Sequence, residues 1–129
     1  METPYAYVYA SRHDRTCDIV HACINQSFAT GRGGLPGNND SGGLSACFVW
    51  NVLGLFPATG NGEFLIGSPH IEKAKIKLSN GNTLEIEVKK PAKERFYVKS
   101  AEFNGEEIHE FRIEAKKLMQ GGRLVFEMK

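Results

Sequence analysis

Two hydrophobic periods run along the 129 residues, and the change between them divides the chain near its middle. In the first part, Ile19, Val20, Cys23, Ile24 and Phe28 recur at spacings of three and four, which gathers them on one stripe of an α-helix. Ser11 is the expected N-cap, with Asp14 three residues later complementing the positive helix end. Gly31, Gly33 and Gly34 are expected to stop the helix. A second helix is expected from about Gly43 to Leu53, where Leu44, Cys47, Phe48, Trp50, Val52 and Leu53 are apolar nearly all round. Such a helix needs cover on more than one side, and the chain has little helix to supply it.

Further along, the period drops to two. Ala74, Ile76 and Leu78 face one way and Lys73, Lys75 and Lys77 the other, then Leu84, Ile86 and Val88 repeat the alternation. Asn80-Gly81-Asn82 predicts a hairpin turn, because Asn and Gly tolerate positive φ at little cost. Phe96 and Val98 lead towards Phe103, and Asn104-Gly105 offers a second tight turn. Glu114 to Met119 suits one or two helical turns, and Leu124, Val125, Phe126 and Met128 form a last strand after Gly121-Gly122. The expected class is α+β, with residues 1–57 a helical segment and residues 58–129 a small antiparallel β-sheet or sandwich over one apolar face.

Charge follows the same division. Residues 1–60 hold three arginines, four acids and no lysine, while the later residues carry 13 basic and 11 acidic side chains. The net charge of +1 gives no clustered basic surface for nucleic acid or an anionic membrane. No apolar run approaches the ~20 residues of a membrane span. Met1-Glu2-Thr3-Pro4 has neither the basic nor the apolar region of a signal peptide. Cys17, Cys23 and Cys47 lack CxxC spacing and are expected as buried free thiols. His13 and His21 lie eight apart on the first helix, without the i, i+4 spacing of zinc helices, and are read as surface or packing residues. No pattern in the sequence links His70 or His109 to them.

The stretch with chemical content is Gly34-Leu35-Pro36-Gly37-Asn38-Asn39-Asp40-Ser41-Gly42-Gly43-Leu44-Ser45. It lacks the GK[ST] of a phosphate-binding loop and the acidic ladder of a calcium-binding EF-hand. Read plainly, it is a polar Gly-rich connection between two helices, with Asp40 as an N-cap. Gly42 and Gly43 stand before a helix start, where backbone N–H groups favour an anion or a ligand hydroxyl. Asp40 is the only carboxylate between Asp18 and Glu63, and so the one acid-base candidate of the loop.

The run GLPGNNDSGGLSACFVWNVLGLFP, Gly34 to Pro57, resembles the signature of glycoside hydrolase family 92. Pro4-Tyr5-Ala6-Tyr7, Phe64-Leu65-Ile66-Gly67-Ser68-Pro69 and Gly121-Gly122-Arg123-Leu124 are similar to further family segments, in order along nearly the whole chain. The resemblance implies the C-terminal part of a bacterial, calcium-dependent, inverting exo-α-mannosidase. The fold it implies is the last helices of an (α/α)6 barrel followed by a β module. It puts the general base on Asp40 and substrate contacts on Asn38, Asn39, Ser41 and Gly42. The implied partners are mannose-containing glycans, the missing N-terminal part or a second copy, and the implied location is periplasmic or secreted. The general acid and most calcium ligands of the family lie upstream, so no metal-ligand set is expected in this chain and it is expected to be inactive alone. Two positions depart from the pattern: Asn39 stands where an acid is usual, and Cys47 where Trp is usual. The alternative reading is a non-catalytic β module that binds carbohydrate or a partner chain.

Overall fold

The computed structural model describes residues 3–37, 39–89 and 96–129. After a single turn at Thr3–Tyr5 come α1 (Ala6–Tyr9), α2 (His13–Ser27) and α3 (Gly43–Leu53), then a mostly β region with one more short helix, α4 (Ala115–Leu118). The class is α+β with two sheets. No helix among the described residues is long and apolar enough to cross a membrane.

The predicted first helix, α2, starts one residue later than a cap at Ser11 predicts. Ser11 takes positive φ (57°) and does not cap; Arg12 occupies the cap position without a side-chain cap bond. Its guanidinium instead grips Asp14 at 2.8 and 2.9 Å, holding that exposed carboxyl at about 2. The buried residues of α2 are His13, Thr16, Cys17 and Val20, so the stripe lies towards the N-terminal end of the one expected. Cys23 is exposed and Cys47 half-buried, which corrects the expectation of three buried thiols; Cys17 alone is fully enclosed.

Strands β1 (Leu55–Ala58), β2 (Glu63–Ile66) and β7 (Arg112–Glu114) form one antiparallel sheet in the order β1-β2-β7. The second sheet has the order β3-β4-β8-β5-β6, from β3 (Lys73–Lys77), β4 (Thr83–Lys89), β5 (Val98–Phe103), β6 (Glu106–Glu107) and β8 (Gly122–Met128). Both predicted turns fall between paired strands. The expectation of a purely antiparallel module fails at one place: β4 and β8 run parallel, with Ile86 opposite Leu124 and Val88 opposite Phe126. Each of these strands buries every second residue, so pairing them sets four large apolar side chains on one face. Between β6 and β7 the chain makes a short turn, His109–Phe111.

One core joins the sheets: Leu55, Phe64, Ile66 and Ile113 from the first pack with Leu84, Ile86, Phe103, Leu124, Phe126 and Met128 from the second. A smaller cluster of Tyr5, Val8, Val20, Phe56 and Leu65 holds the first helices against β1 and β2. The expected division between residues 57 and 58 therefore falls within β1, whose residues serve both clusters.

Candidate active site

The loop that carries Asp40 is built from its two ends. At the first end, the Ala29 N–H donates to Gly34 O at 3.0 Å and the Gly34 N–H to Gly31 O at 3.1 Å, closing a tight turn after α2. Only glycine fits at position 34, because a Cβ there would fall 2.1 Å from the Ala29 carbonyl oxygen. Phe28 and Phe48, 5.1 Å apart, bring the end of α2 against α3.

At the second end, Asn39 clamps the loop to the helix. Its Nδ2 donates to Ser45 Oγ at 2.9 Å, and its Oδ1 accepts the Ser45 N–H at 3.1 Å. Its carbonyl accepts the Gly42 N–H at 3.1 Å. Asn39 thus supplies a side-chain cap to a backbone N–H of the first turn of α3; the Asp40 side chain lies outside the described part of the structure. Between the clamp and the helix, Asp40–Gly42 makes one tight turn in which Ser41 (φ 52°) and Gly42 (φ 75°) are both left-handed. A non-glycine residue in that region is strained, and such strain recurs at functional sites. The backbone of Asp40 opens this turn, directly ahead of α3. Asn38 lies outside the described residues.

The helix behind the loop is fixed by one polar anchor. Asn51 is the only buried residue of α3. Its Oδ1 accepts the Tyr5 hydroxyl at 2.5 Å, and its Nδ2 donates to Cys47 O at 2.7 Å. Burial pushes the Tyr5 phenol well above its ordinary range, so it is a donor at every accessible pH. The remaining α3 side chains are half-buried or exposed, Val49 at 55%. The all-round cover that the sequence calls for is thus not supplied within the described residues.

Chemically, residues 34–45 offer one carboxylate. An inverting glycosidase needs two, a general acid and a general base on opposite sides of the scissile bond. Calcium takes roughly six to eight oxygen ligands. Among the described residues, no three His, Cys, Asp or Glu side chains gather to hold a metal ion.

Two clusters carry chemistry that the sequence did not point to. His21 and His70, 49 positions apart, meet through Nδ1 and Nε2 at 3.2 Å, and Phe96 stacks on His21 at 4.0 Å. A cleft of about 320 Å³ lies between α1 and the β1–β2 turn, lined by Tyr5, Tyr9, Phe56, Thr59, Asn61 and Leu65 among others. On its rim the Tyr9 hydroxyl donates to Glu63 at 2.5 Å and accepts from Asn61 at 3.0 Å, with Arg112 over the Tyr9 ring. Among the described residues, none of the cleft's lining comes from the Asp40 loop. Buried His13 donates from Nε2 to Ile66 O at 2.9 Å and stacks on Phe111; burial lowers its pKa. It is a packing residue, as its spacing suggested.

A model described as the glycosyl hydrolase family 92 catalytic domain matches residues 1–129. An uncharacterized secreted glycosidase of Arthroderma benhamiae is 32% identical over 123 residues, 93% of this chain and 16% of that protein. The structure of a family GH92 alpha-mannosidase from Bacteroides thetaiotaomicron superposes with a TM-score of 0.91 at 25% identity, covering 98% of this chain and 17% of that one. A second structure of that mannosidase is a complex with mannoimidazole. A family GH92 inverting mannosidase from Bacteroides thetaiotaomicron VPI-5482 has a TM-score of 0.88 at 28% identity, covering 99% of this chain and 18% of that one. This chain therefore spans less than a fifth of the length of each of these relatives.

Proposed function

Since this chain belongs to glycoside hydrolase family 92, we propose that it is the base-bearing C-terminal part of a mannosidase-type glycoside hydrolase that releases terminal α-linked mannose with inversion. The observation that carries the reading is the Asp40 turn, clamped by Asn39 to the start of α3 and strained through Ser41 and Gly42.

In this reading Asp40 takes a proton from the water that attacks the anomeric carbon. The acid that protonates the leaving oxygen comes from outside these residues, because one carboxylate cannot fill both roles in one inverting displacement. Asn38 and Ser41 orient water or substrate, while Asn39 and Gly42 shape the turn that presents Asp40. The helices α2 and α3 are the last of an (α/α)6 barrel whose remainder covers the apolar surface of α3. Calcium is held mainly by residues beyond this chain. Mannose-containing glycans are the substrate class, and a periplasmic or extracellular location suits it.

The test has two arms. Purified residues 1–129 are expected to release no mannose from an α-1,2-mannobiose, with added calcium or with chelator. Calcium-dependent release would overturn the incomplete-site reading. In a chimaera where this chain replaces the matching segment of the Bacteroides mannosidase, release is expected to return, and Asp40→Asn is expected to lower it about 10²- to 10⁴-fold. An Asp40→Asn chimaera as active as its parent would remove Asp40 from the chemistry.

A further inference from the structure

The His21–His70 contact lies on other elements than the Asp40 loop: α2, and the segment that follows β2. We propose that His21 and His70 form a two-imidazole binding site for a borderline divalent transition-metal cation of the zinc class.

The donor nitrogens have the right separation. His21 Nδ1 and His70 Nε2 are 3.2 Å apart. Two ligands at zinc's usual Zn–N distance stand about 3.4 Å apart across a tetrahedral angle, so a few tenths of an ångström of ring movement admits the ion. Imidazole nitrogen suits zinc, nickel and copper, whereas calcium takes oxygen.

The rings are also held in place from behind. His70 Nδ1 donates to Ser68 O at 2.9 Å, which leaves Nε2 as the basic nitrogen facing His21. A backbone carbonyl on the far nitrogen is the usual second partner of a metal-bound histidine, fixing both tautomer and orientation. Ser68 is itself fully buried, with its Oγ donating to Phe96 O at 2.5 Å. Phe96 then stacks on His21 at 4.0 Å and 12°. On the same helix, Asn25 donates to His21 O at 2.9 Å, and its Nδ2 lies 3.2 and 3.3 Å from the two His21 ring nitrogens, near neither one alone.

Without a cation, the tautomer fixed at His70 requires His21 to carry its proton on Nδ1 and donate it to His70 Nε2. Metal binding at Nδ1 moves that proton to His21 Nε2, so no net proton leaves a neutral pair. Both rings are half-buried rather than enclosed, so water completes the coordination shell.

The experiment titrates the 129-residue chain with Zn²⁺ at about pH 7.5, and loads it with Cu²⁺ for electron paramagnetic resonance. A single zinc per chain is expected. His21→Gln and His70→Gln are each expected to weaken it about ten-fold or more, with circular dichroism confirming that each is folded. Cys23→Ser, which removes the exposed thiol of the same helix, is expected to leave binding unchanged. The copper spectrum of the unaltered chain is expected to carry hyperfine splitting from two imidazole nitrogens, a readout that needs no variant to fold. Zinc binding unchanged in both histidine variants, binding lost in Cys23→Ser, no zinc bound at all, or a copper spectrum without two nitrogens would each overturn the proposal.

Discussion

Asn39 spends both ends of its side-chain amide on Ser45, six residues ahead, donating to the hydroxyl and accepting from the backbone N–H. The loop and the first turn of α3 therefore move as one unit. Removing such a cap costs about 1 kcal/mol. Asn39→Ala is expected to lower stability by that amount, read as a reduced urea midpoint. Asn39→Asp keeps the acceptor for the Ser45 N–H and is expected to stay within about 0.5 kcal/mol of the parent. Equal losses in the two variants would show that the side-chain acceptor does not matter.

Tyr5 and Asn51 test the anchor between the N-terminal turn and α3. Tyr5→Phe removes the donor and leaves a buried carbonyl oxygen on Asn51 without its partner. The expected cost is about 1–3 kcal/mol, from desolvation that is no longer offset. A Tyr5→Phe chain as stable as the parent in urea would mean that water replaces the hydroxyl.

The contrast between the shared core and the surface of α3 gives a third prediction. Phe126 is fully buried between the sheets, and Phe126→Ala is expected to cost about 3–5 kcal/mol by transfer and cavity terms. Val49 stands out from α3 at 55% exposure. Val49→Ser is expected to shift stability by less than about 0.5 kcal/mol while lowering self-association in sedimentation. A large loss for Val49→Ser would place that side chain in a contact within the chain.

Thiol reactivity should separate the three cysteines. Burial pushes the Cys17 thiol up to about 11, and Cys17 has no solvent access, whereas Cys23 is exposed. Only the thiolate reacts, so a maleimide at about pH 7.5 is expected to modify Cys23 first, Cys47 more slowly, and Cys17 only on unfolding. Mass mapping that finds Cys17 labelled in the folded chain would contradict the packing of α2.

A pH dependence follows from His13. Burial lowers its pKa, only partly offset by the bond to Ile66 O, so the unfolded chain takes up this proton at a higher pH than the folded one. The stability from its neutral form is complete above about pH 6.5 and is lost as pH falls towards the lowered folded value. His70 is lowered in the same direction. The urea midpoint is expected to be lower at about pH 5.5 than at about pH 7.5, with a smaller gap in His13→Gln. An unchanged gap in that variant would assign the effect to other groups.

Much of the fold was legible because local rules set it. The bounds of α3, Gly43–Leu53, were readable from an apolar run between glycines. The turns at Asn80-Gly81-Asn82 and Asn104-Gly105 follow from residues that tolerate positive φ. The alternation of Ala74, Ile76, Leu84, Ile86 and Val88 gave the strands, because the side-chain period of a strand is fixed by its backbone. The Asp40 loop stood out as well, by its single carboxylate and its likeness to a family signature.

What local rules could not reach was decided by contacts between distant residues. The parallel pairing of β4 with β8 needs a crossover of more than thirty residues, and alternation alone carries no strand direction. Asn39 reaches Ser45, six residues ahead, across the left-handed turn at Ser41 and Gly42, a geometry that residue type alone does not specify. His21 and His70 show the limit most plainly. Each looks like an isolated histidine in the sequence, and the packing of α2 against the segment after β2 sets their nitrogens 3.2 Å apart. Sequence determines period, turn and cap chemistry because these act over a few residues; pairing partners and site geometry arise only when burial of a common core brings remote segments together.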